Sequence, residues 1–182
     1  MKSINHIGFA PVSLPLSADN IVEFHAARIL LLIRLCGTGN QIDGLTKMAK
    51  LDFFVRYPDF FAAAKNDTAH ETASEASVES AMVRHHYGPW DKRYYHVLAY
   101  LEAKQLIAIA KKKNSYQITL TDSGKEKATA LAERTSFASL VQRMKAVKKQ
   151  FGSKSGNTLK KLIYQIFEEE VGKKPLGEII RR

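Results

Sequence analysis

Apolar positions recur at steps of three and four from Ile21 to Cys36, through Phe24, Ala27, Leu31 and Leu35. Ile29, Leu30, Leu32 and Ile33 widen that stripe almost to the full circumference, which predicts a central, buried helix. Gly37-Thr-Gly-Asn40 ends it. A second helix is predicted at about 43–57, with Asp43 as a candidate N-cap and Leu45, Met48, Ala49, Leu51 and either Phe53 or Phe54 on its inner face. Pro58 disfavours helix at Tyr57, and Asp59 to Lys65 allows one further helical turn. Residues 1–20 hold Pro11 and Pro15 and are expected to form an arm or a short edge strand. Residues 66–77 are small, polar and aperiodic, the pattern of a mobile loop. Val78 to Tyr87 carries conflicting signals for helix and strand.

Gly88-Pro89 makes a firm break. Asp91 is a candidate N-cap for a helix to about Lys104, whose buried stripe is Tyr94, Val97, Leu98 and Leu101 and whose other face carries Lys92, Arg93, His96 and Tyr100. Leu106 to Ala110 and Tyr116 to Leu120 have the composition of short strands, joined by Lys111-Lys-Lys-Asn-Ser115 as a hairpin tip. Asp122 or Ser123 caps a further helix to about Arg134. Two amphipathic helices complete the pattern. One presents Phe137, Leu140, Val141, Met144, Val147 and Phe151; the other, after Gly152-Ser-Lys-Ser-Gly156, presents Leu159, Leu162, Ile163, Ile166 and Phe167. The expected fold class is mainly α with a small β-hairpin wing. It is a winged helix-turn-helix over 21–134, with an insertion at 58–90, an N-terminal arm at 1–20 and basic amphipathic helices at 135–182.

Charge changes this picture most. Lys and Arg number 28 against 18 Asp and Glu, a net +10, and the excess is uneven. Arg134 to Phe167 holds eight basic residues (Arg134, Arg143, Lys145, Lys148, Lys149, Lys154, Lys160, Lys161) and no acid. Such a block can follow a phosphate backbone or an acidic protein face; alternatively it is a solvated helix face. At the wing, Lys111, Lys112 and Lys113 are candidate phosphate contacts, or else they keep a hairpin edge from pairing. Lys92 and Arg93 stand where a winged helix would meet the major groove, although Asp91 beside them would repel phosphate.

Aromatic residues add a second theme. Phe53, Phe54, Tyr57, Phe60 and Phe61 fall within one short segment, and Tyr87, Trp90, Tyr94 and Tyr95 within another. Some must be core. Those left exposed are candidate docking anchors, with Phe53, Phe54, Tyr57, Tyr87, Trp90 and Tyr95 as the expected set. Catalytic signals are weak. Asp91 with His96, or Glu23 with His25, could serve as acid and base, but no His-Glu-x-x-His, Cys-x-x-Cys or phosphate loop is present, so a non-catalytic protein without metal or cofactor is expected. The single cysteine, Cys36, lies in an apolar run and is expected to be a small core residue in a reducing compartment. The apolar run from Ile21 to Cys36 is interrupted by Glu23, His25, Arg28 and Arg34, and it falls short of the roughly 18 uncharged residues a membrane span needs. A cytoplasmic bacterial protein is expected.

Two blocks also carry a family likeness. Lys47-Met-Ala-Lys-Leu-Asp-Phe-Phe-Val-Arg-Tyr-Pro58 and Tyr87-Gly-Pro-Trp-Asp-Lys-Arg-Tyr-Tyr95, followed by Val97-Leu98, Tyr100-Leu101 and Lys104-Gln-Leu-Ile107, resemble the middle component of bacterial ABC-type three-component systems, the Lamassu-type anti-phage defence group. The likeness spans about residues 21–130, and Gln105 departs from it where glycine is commoner. It implies a non-catalytic, winged-helix accessory subunit that docks on an SMC- or Rad50-like ATPase. Such a subunit bridges the ATPase heads and a nuclease-type effector, with double-stranded DNA as a candidate ligand. The runner-up is a homodimeric winged-helix transcription regulator, and a plain scaffold is the third reading.

Overall fold

The computed structural model describes residues 21–65, 81–113 and 115–180. The arm at 1–20 and the loop at 66–77 lie outside the described residues. The chain is mainly helical with a small antiparallel sheet. Its elements run α1 (Val22–Cys36), β1 (Gln41–Asp43), α2 (Leu45–Arg56), α3 (Pro58–Ala64), β2 (Val83–His85), β3 (Gly88–Trp90), α4 (Tyr94–Ala103), β4 (Ile107–Lys112), β5 (Ser115–Leu120), α5 (Asp122–Ala132), α6 (Ala138–Phe151) and α7 (Gly156–Ile166). A 3-10 turn at Thr135–Phe137 leads into α6, and a π-helical turn at Glu168–Gly172 follows α7.

The nearly uniform hydrophobicity of α1 has the expected consequence: Ile29, Leu31, Leu32, Ile33 and Cys36 have no exposed surface. Helix α1 is the hub, with α2, α4, α5 and α6 packed around it. Helix α7 lies on α2 and touches α3 and β3. The apolar faces of the last two helices, Val141, Met144, Val147, Phe151, Leu159 and Ile163, therefore join the same core as α1 and α2. Cys36 donates its Sγ–H to the Met144 carbonyl at 3.3 Å, and burial pushes its thiol up to about 12.

A cluster of ionisable side chains enters this apolar interior. Arg28, Asp52, Arg56 and Asp91 are all under 5% exposed, and Arg93 closes the group from the rim. Arg28 donates through Nη1 to Asp52 Oδ2. Arg56 donates to Asp91 at 2.8 Å, and Arg93 grips both Asp91 oxygens at 2.9 and 2.8 Å. The Tyr94 hydroxyl donates to Asp52 at 2.7 Å. Burial by itself would raise the Asp91 pKa, but the hydrogen bonds from Arg93 and the charges of Arg56 and Arg93 outweigh it and hold the carboxyl well below its ordinary 3.8.

Several local expectations change. Asp91 does not cap an exposed helix end: α4 begins at Tyr94, and Asp91 is buried in the ion cluster, where its Oδ1 also accepts the Arg93 amide at 2.9 Å. Asp43 does not cap α2, because Gln41–Asp43 pairs antiparallel with β5. Gly44 takes over that junction at φ 96°, a conformation that disfavours a side chain. Thr121, not Asp122 or Ser123, caps α5, its Oγ1 accepting the Gly124 amide at 3.0 Å. Gly124 is required there, since a Cβ would meet the Leu106 carbonyl oxygen at 1.9 Å. The described part of the ambiguous segment, from residue 81, supplies β2, and Gly88-Pro89, expected to be a break, instead belongs to its antiparallel partner β3. Ile179 bridges Val83 on β2, and the Ile180 amide donates to the Met82 carbonyl at 2.9 Å, so the C-terminal tail is tied to this ribbon.

Helix α4 ends with Gln105 at φ 56°, while the Leu106 amide donates back to Leu101 at 3.0 Å, a left-handed C-terminal motif that favours glycine. Gln105→Gly should therefore raise the unfolding free energy by up to about 1 kcal/mol in urea titration. Asp52→Asn leaves buried guanidinium charge uncompensated and should lower it by about 3–5 kcal/mol. Lys161→Ala, on an exposed face, should change it by less than about 0.5 kcal/mol.

Candidate functional site

The most distinctive surface is a groove between α4 and the β4–β5 hairpin. In β5, Tyr116, Ile118 and Leu120 fall on one face, and they pair with Lys111, Ile109 and Ile107 of β4. Ile107, Ile118 and Leu120 enter the core. Further out on the same face the core gives out, and Tyr116 is left 46% exposed with Lys111 beside it. Across from it, Tyr95 on α4 is 62% exposed. Leu45, Leu98, Ala99, Glu102 and Ile109 complete a cleft of about 360 Å³ between the two tyrosines.

A second cleft, of about 380 Å³, shares Leu45, Tyr95 and Tyr116 with the first and continues toward the β2–β3 ribbon. It is lined by His85, Tyr87, Trp90 and Lys47 and by Gly156 and Asn157 at the start of α7. The rings form a connected run. Tyr87 lies 6.4 Å from His85, His85 stacks on Trp90 at 5.3 Å and 27°, and Trp90 meets Tyr95 at 5.8 Å. Lys160 places its Nζ 5.0 Å from the Tyr87 ring centroid. Burial, then the neighbouring charges of His86, Lys50 and Arg84, lowers the His85 pKa, which favours the neutral ring that stacks on Trp90.

Beneath this groove lies Lys50, fully buried, with Nζ donating to the Pro89 carbonyl at 2.8 Å. Burial, reinforced by Lys160, lowers its pKa to about 7.

The aromatic residues expected to dock partners divide. Phe53 and Phe54 are interior, Phe53 against Phe60 and Phe167 and Phe54 against Phe151, so they present nothing to a partner. Trp90 is 6% exposed and forms the groove wall instead of a projecting anchor. Tyr57 is half-buried, its hydroxyl accepting the Met82 amide at 2.7 Å. Tyr87 and Tyr95 remain exposed. The physical reason is the position of α2: packed between α1 on one side and α6 and α7 on the other, it buries most of its circumference.

The basic residues divide as well. Arg93 folds inward onto Asp91 and reaches His25 Nε2 at 2.8 Å, so its head is not directed at a groove of DNA. Lys148 caps the C-terminal end of α1, donating to the Cys36 and Gly37 carbonyls and to Thr38 Oγ1, a structural role set by the carbonyls left over at a helix end. Lys160 is half-buried over Tyr87 and Tyr164, and Arg143 is half-buried. Lys92, Lys111, Lys112, Lys113, Lys145, Lys149 and Lys161 are exposed. Lys145 and Lys149 share one face of α6. The acid–base pairs weighed from sequence are engaged elsewhere: Asp91 by arginines, and Glu23 by the Tyr100 hydroxyl at 3.4 Å.

Sequence reasoning passed over Tyr116, His85 and Lys47 as groove residues. The period-two alternation of β5 carried the signal for Tyr116. No local pattern marks the other two. Set against known protein families, curated proteins and solved structures, the chain matches none.

Lys50 gives this region a measurable pH signature. The unfolded chain keeps the Lys50 proton up to its ordinary 10.5, whereas the fold releases it near 7, so the unfolded state binds more protons between these values and stability rises with pH. From pH 7 to 9 the increase from this group should be about 2 kcal/mol, and Lys50→Met should abolish it in denaturant titrations at the two pH values.

Proposed function

We propose that this chain is a non-catalytic winged-helix module, an accessory subunit of a DNA-associated complex built on an SMC- or Rad50-like ATPase and acting in anti-phage defence beside a nuclease-type effector. The observation that carries the winged-helix reading is the sheet order β1–β5–β4, in which the short strand after α1 pairs with the far strand of the hairpin while α4 precedes that hairpin. With α3 and the β2–β3 ribbon taken as an insertion between α2 and α4, this order supports a helix, strand, helix, helix and wing reading. The wing tip holds Lys111, Lys112 and Lys113, all exposed. Lys145 and Lys149 extend the cationic surface along α6, and the chain's charge of +10 favours a polyanion.

The role in an ATPase complex rests on the two motif blocks 47–58 and 87–95. Their occurrence together has a physical reason. Asp52 and Arg56 of the first block meet Asp91 and Arg93 of the second in one buried ion cluster. Burying Asp91 also removes the objection that its charge would repel phosphate at the α4 terminus. The burial of the last two helices speaks for a subunit over a homodimeric regulator. A regulator of that kind would use those helices for its own dimer interface, yet here their apolar faces pack on α1 and α2.

The subunit reading expects the chain to co-purify with a large coiled-coil ATPase encoded beside it; isolation as a stable homodimer with no such companion sinks it. For duplex contact, binding to a short DNA duplex should weaken with salt. Lys145→Ala with Lys149→Ala, or Lys111→Ala with Lys112→Ala, should reduce the log–log salt slope by about one for each phosphate that is no longer neutralised. An unchanged slope in both variants refutes duplex binding by these faces.

A further inference from the structure

We infer that the tyrosine groove between α4, the β4–β5 hairpin and the β2–β3 ribbon binds single-stranded nucleic acid, with bases stacked on its rings and phosphates beside its lysines. This goes beyond the duplex binding proposed above and centres on the tyrosines, with Lys111 the one residue common to both.

The groove exposes aromatic faces. Tyr87, Tyr95 and Tyr116 are 53%, 62% and 46% exposed, and all three line one cleft. Exposed tyrosine rings gathered along a single surface offer flat faces without demanding a particular hydrogen-bond partner, which is how bases are held without regard to sequence. Their run continues inward through His85 and Trp90, whose mutual stacking fixes the ring planes. A duplex cannot use such a surface, because its base faces are covered by neighbouring pairs. A strand with splayed bases can.

Charge complements a polyanion. Lys47 lines the cleft with its Nζ donating to the Gly152 carbonyl at 2.9 Å, Lys160 sits over Tyr87, and the exposed Lys111 is the cross-strand partner of Tyr116. The carboxylates Asp43 and Glu102 also touch the groove, and both are engaged: Asp43 accepts from Gln117 Nε2 at 2.8 Å, and Glu102 accepts the Ile109 amide at 3.2 Å. The apolar stretch at Leu45, Leu98 and Ile109 suits the face of an unstacked base. A hydrophobic protein segment is the competing occupant, and it would have no need of lysines beside the rings.

Trp90 is the only tryptophan and lines the cleft, so intrinsic fluorescence reports occupancy directly. Titrating the full chain with oligothymidylate of roughly a dozen nucleotides should quench or shift that emission. Tyr95→Ala and Tyr116→Ala should each weaken binding about tenfold, while Tyr95→Phe and Tyr116→Phe should retain it, because stacking needs the ring and not the hydroxyl. Binding of a DNA duplex should be unaffected by these tyrosine changes. Both side chains are exposed, and an unchanged urea midpoint for each variant will verify that the fold is intact. Unchanged oligothymidylate affinity in the alanine variants, or Trp90 emission that does not respond at saturation, overturns the inference and leaves the groove to a protein segment. Loss of duplex binding in the Lys145 and Lys149 variants with oligothymidylate binding retained would separate this site from the basic face of α6.

Discussion

Arg28, Asp52, Arg56, Asp91 and Arg93 meet where α1, α2 and the entry to α4 converge, and the rest of the structure is arranged around that meeting. Charges placed in so apolar an interior are tolerated only when each is answered by an opposite charge and by hydrogen bonds. The arrangement is therefore demanding in geometry. Asp52 must face Arg28 across the helix interface, and Asp91 must leave the surface to lie between Arg56 and Arg93. A buried network of this kind is weak as a source of net stability. It is strong as a device that admits one packing, because any other register strands a charge.

That constraint positions the groove. With Asp91 drawn inward, the chain turns through Lys92 and Arg93 and starts α4 at Tyr94, whose hydroxyl is bound by Asp52. Tyr94 is thereby committed to the core and its neighbour Tyr95 to the surface, where it overlooks the hairpin. Trp90, just before the turn, packs edge-on against Tyr94 at 5.1 Å and becomes the floor shared by the ribbon and the groove. The Lys50 ammonium beneath this floor is held by the Pro89 carbonyl, which links α2 to the same ribbon. The ion cluster, the ribbon and the tyrosines are thus parts of one construction, and the groove is backed by buried contacts.

The helices were legible in the sequence because their signals are local. The all-round hydrophobicity of α1, the stripe of α4 and the two amphipathic faces of α6 and α7 follow from side chains within a few turns of one another, and those faces reappear as the core. The β-favouring composition of Tyr116 to Leu120 likewise foretold a strand. The breaks at Gly37 to Asn40 and Gly152 to Gly156 set the ends of these elements through backbone preferences alone. The excess of positive charge, and its concentration after Arg134, also belongs to the sequence without reference to any fold.

The tertiary structure decided where polar and aromatic side chains end up, because that depends on elements distant in the chain. Strand β1 has too few residues for a period and exists through its pairing with β5. Asp91 looks like an ordinary helix cap until Arg56, 35 positions earlier, is brought beside it. Phe53 and Tyr95 are alike as aromatic residues in helices, but Phe60 of α3 and Phe167 beyond α7 enclose the first, while the second stays open. Lys148 and Lys149 are adjacent in sequence, and the end of α1 captures only the first. Local periodicity therefore established the helices and the hairpin, whereas long-range packing selected which charges were buried, which lysines stayed in solvent and which rings formed a surface.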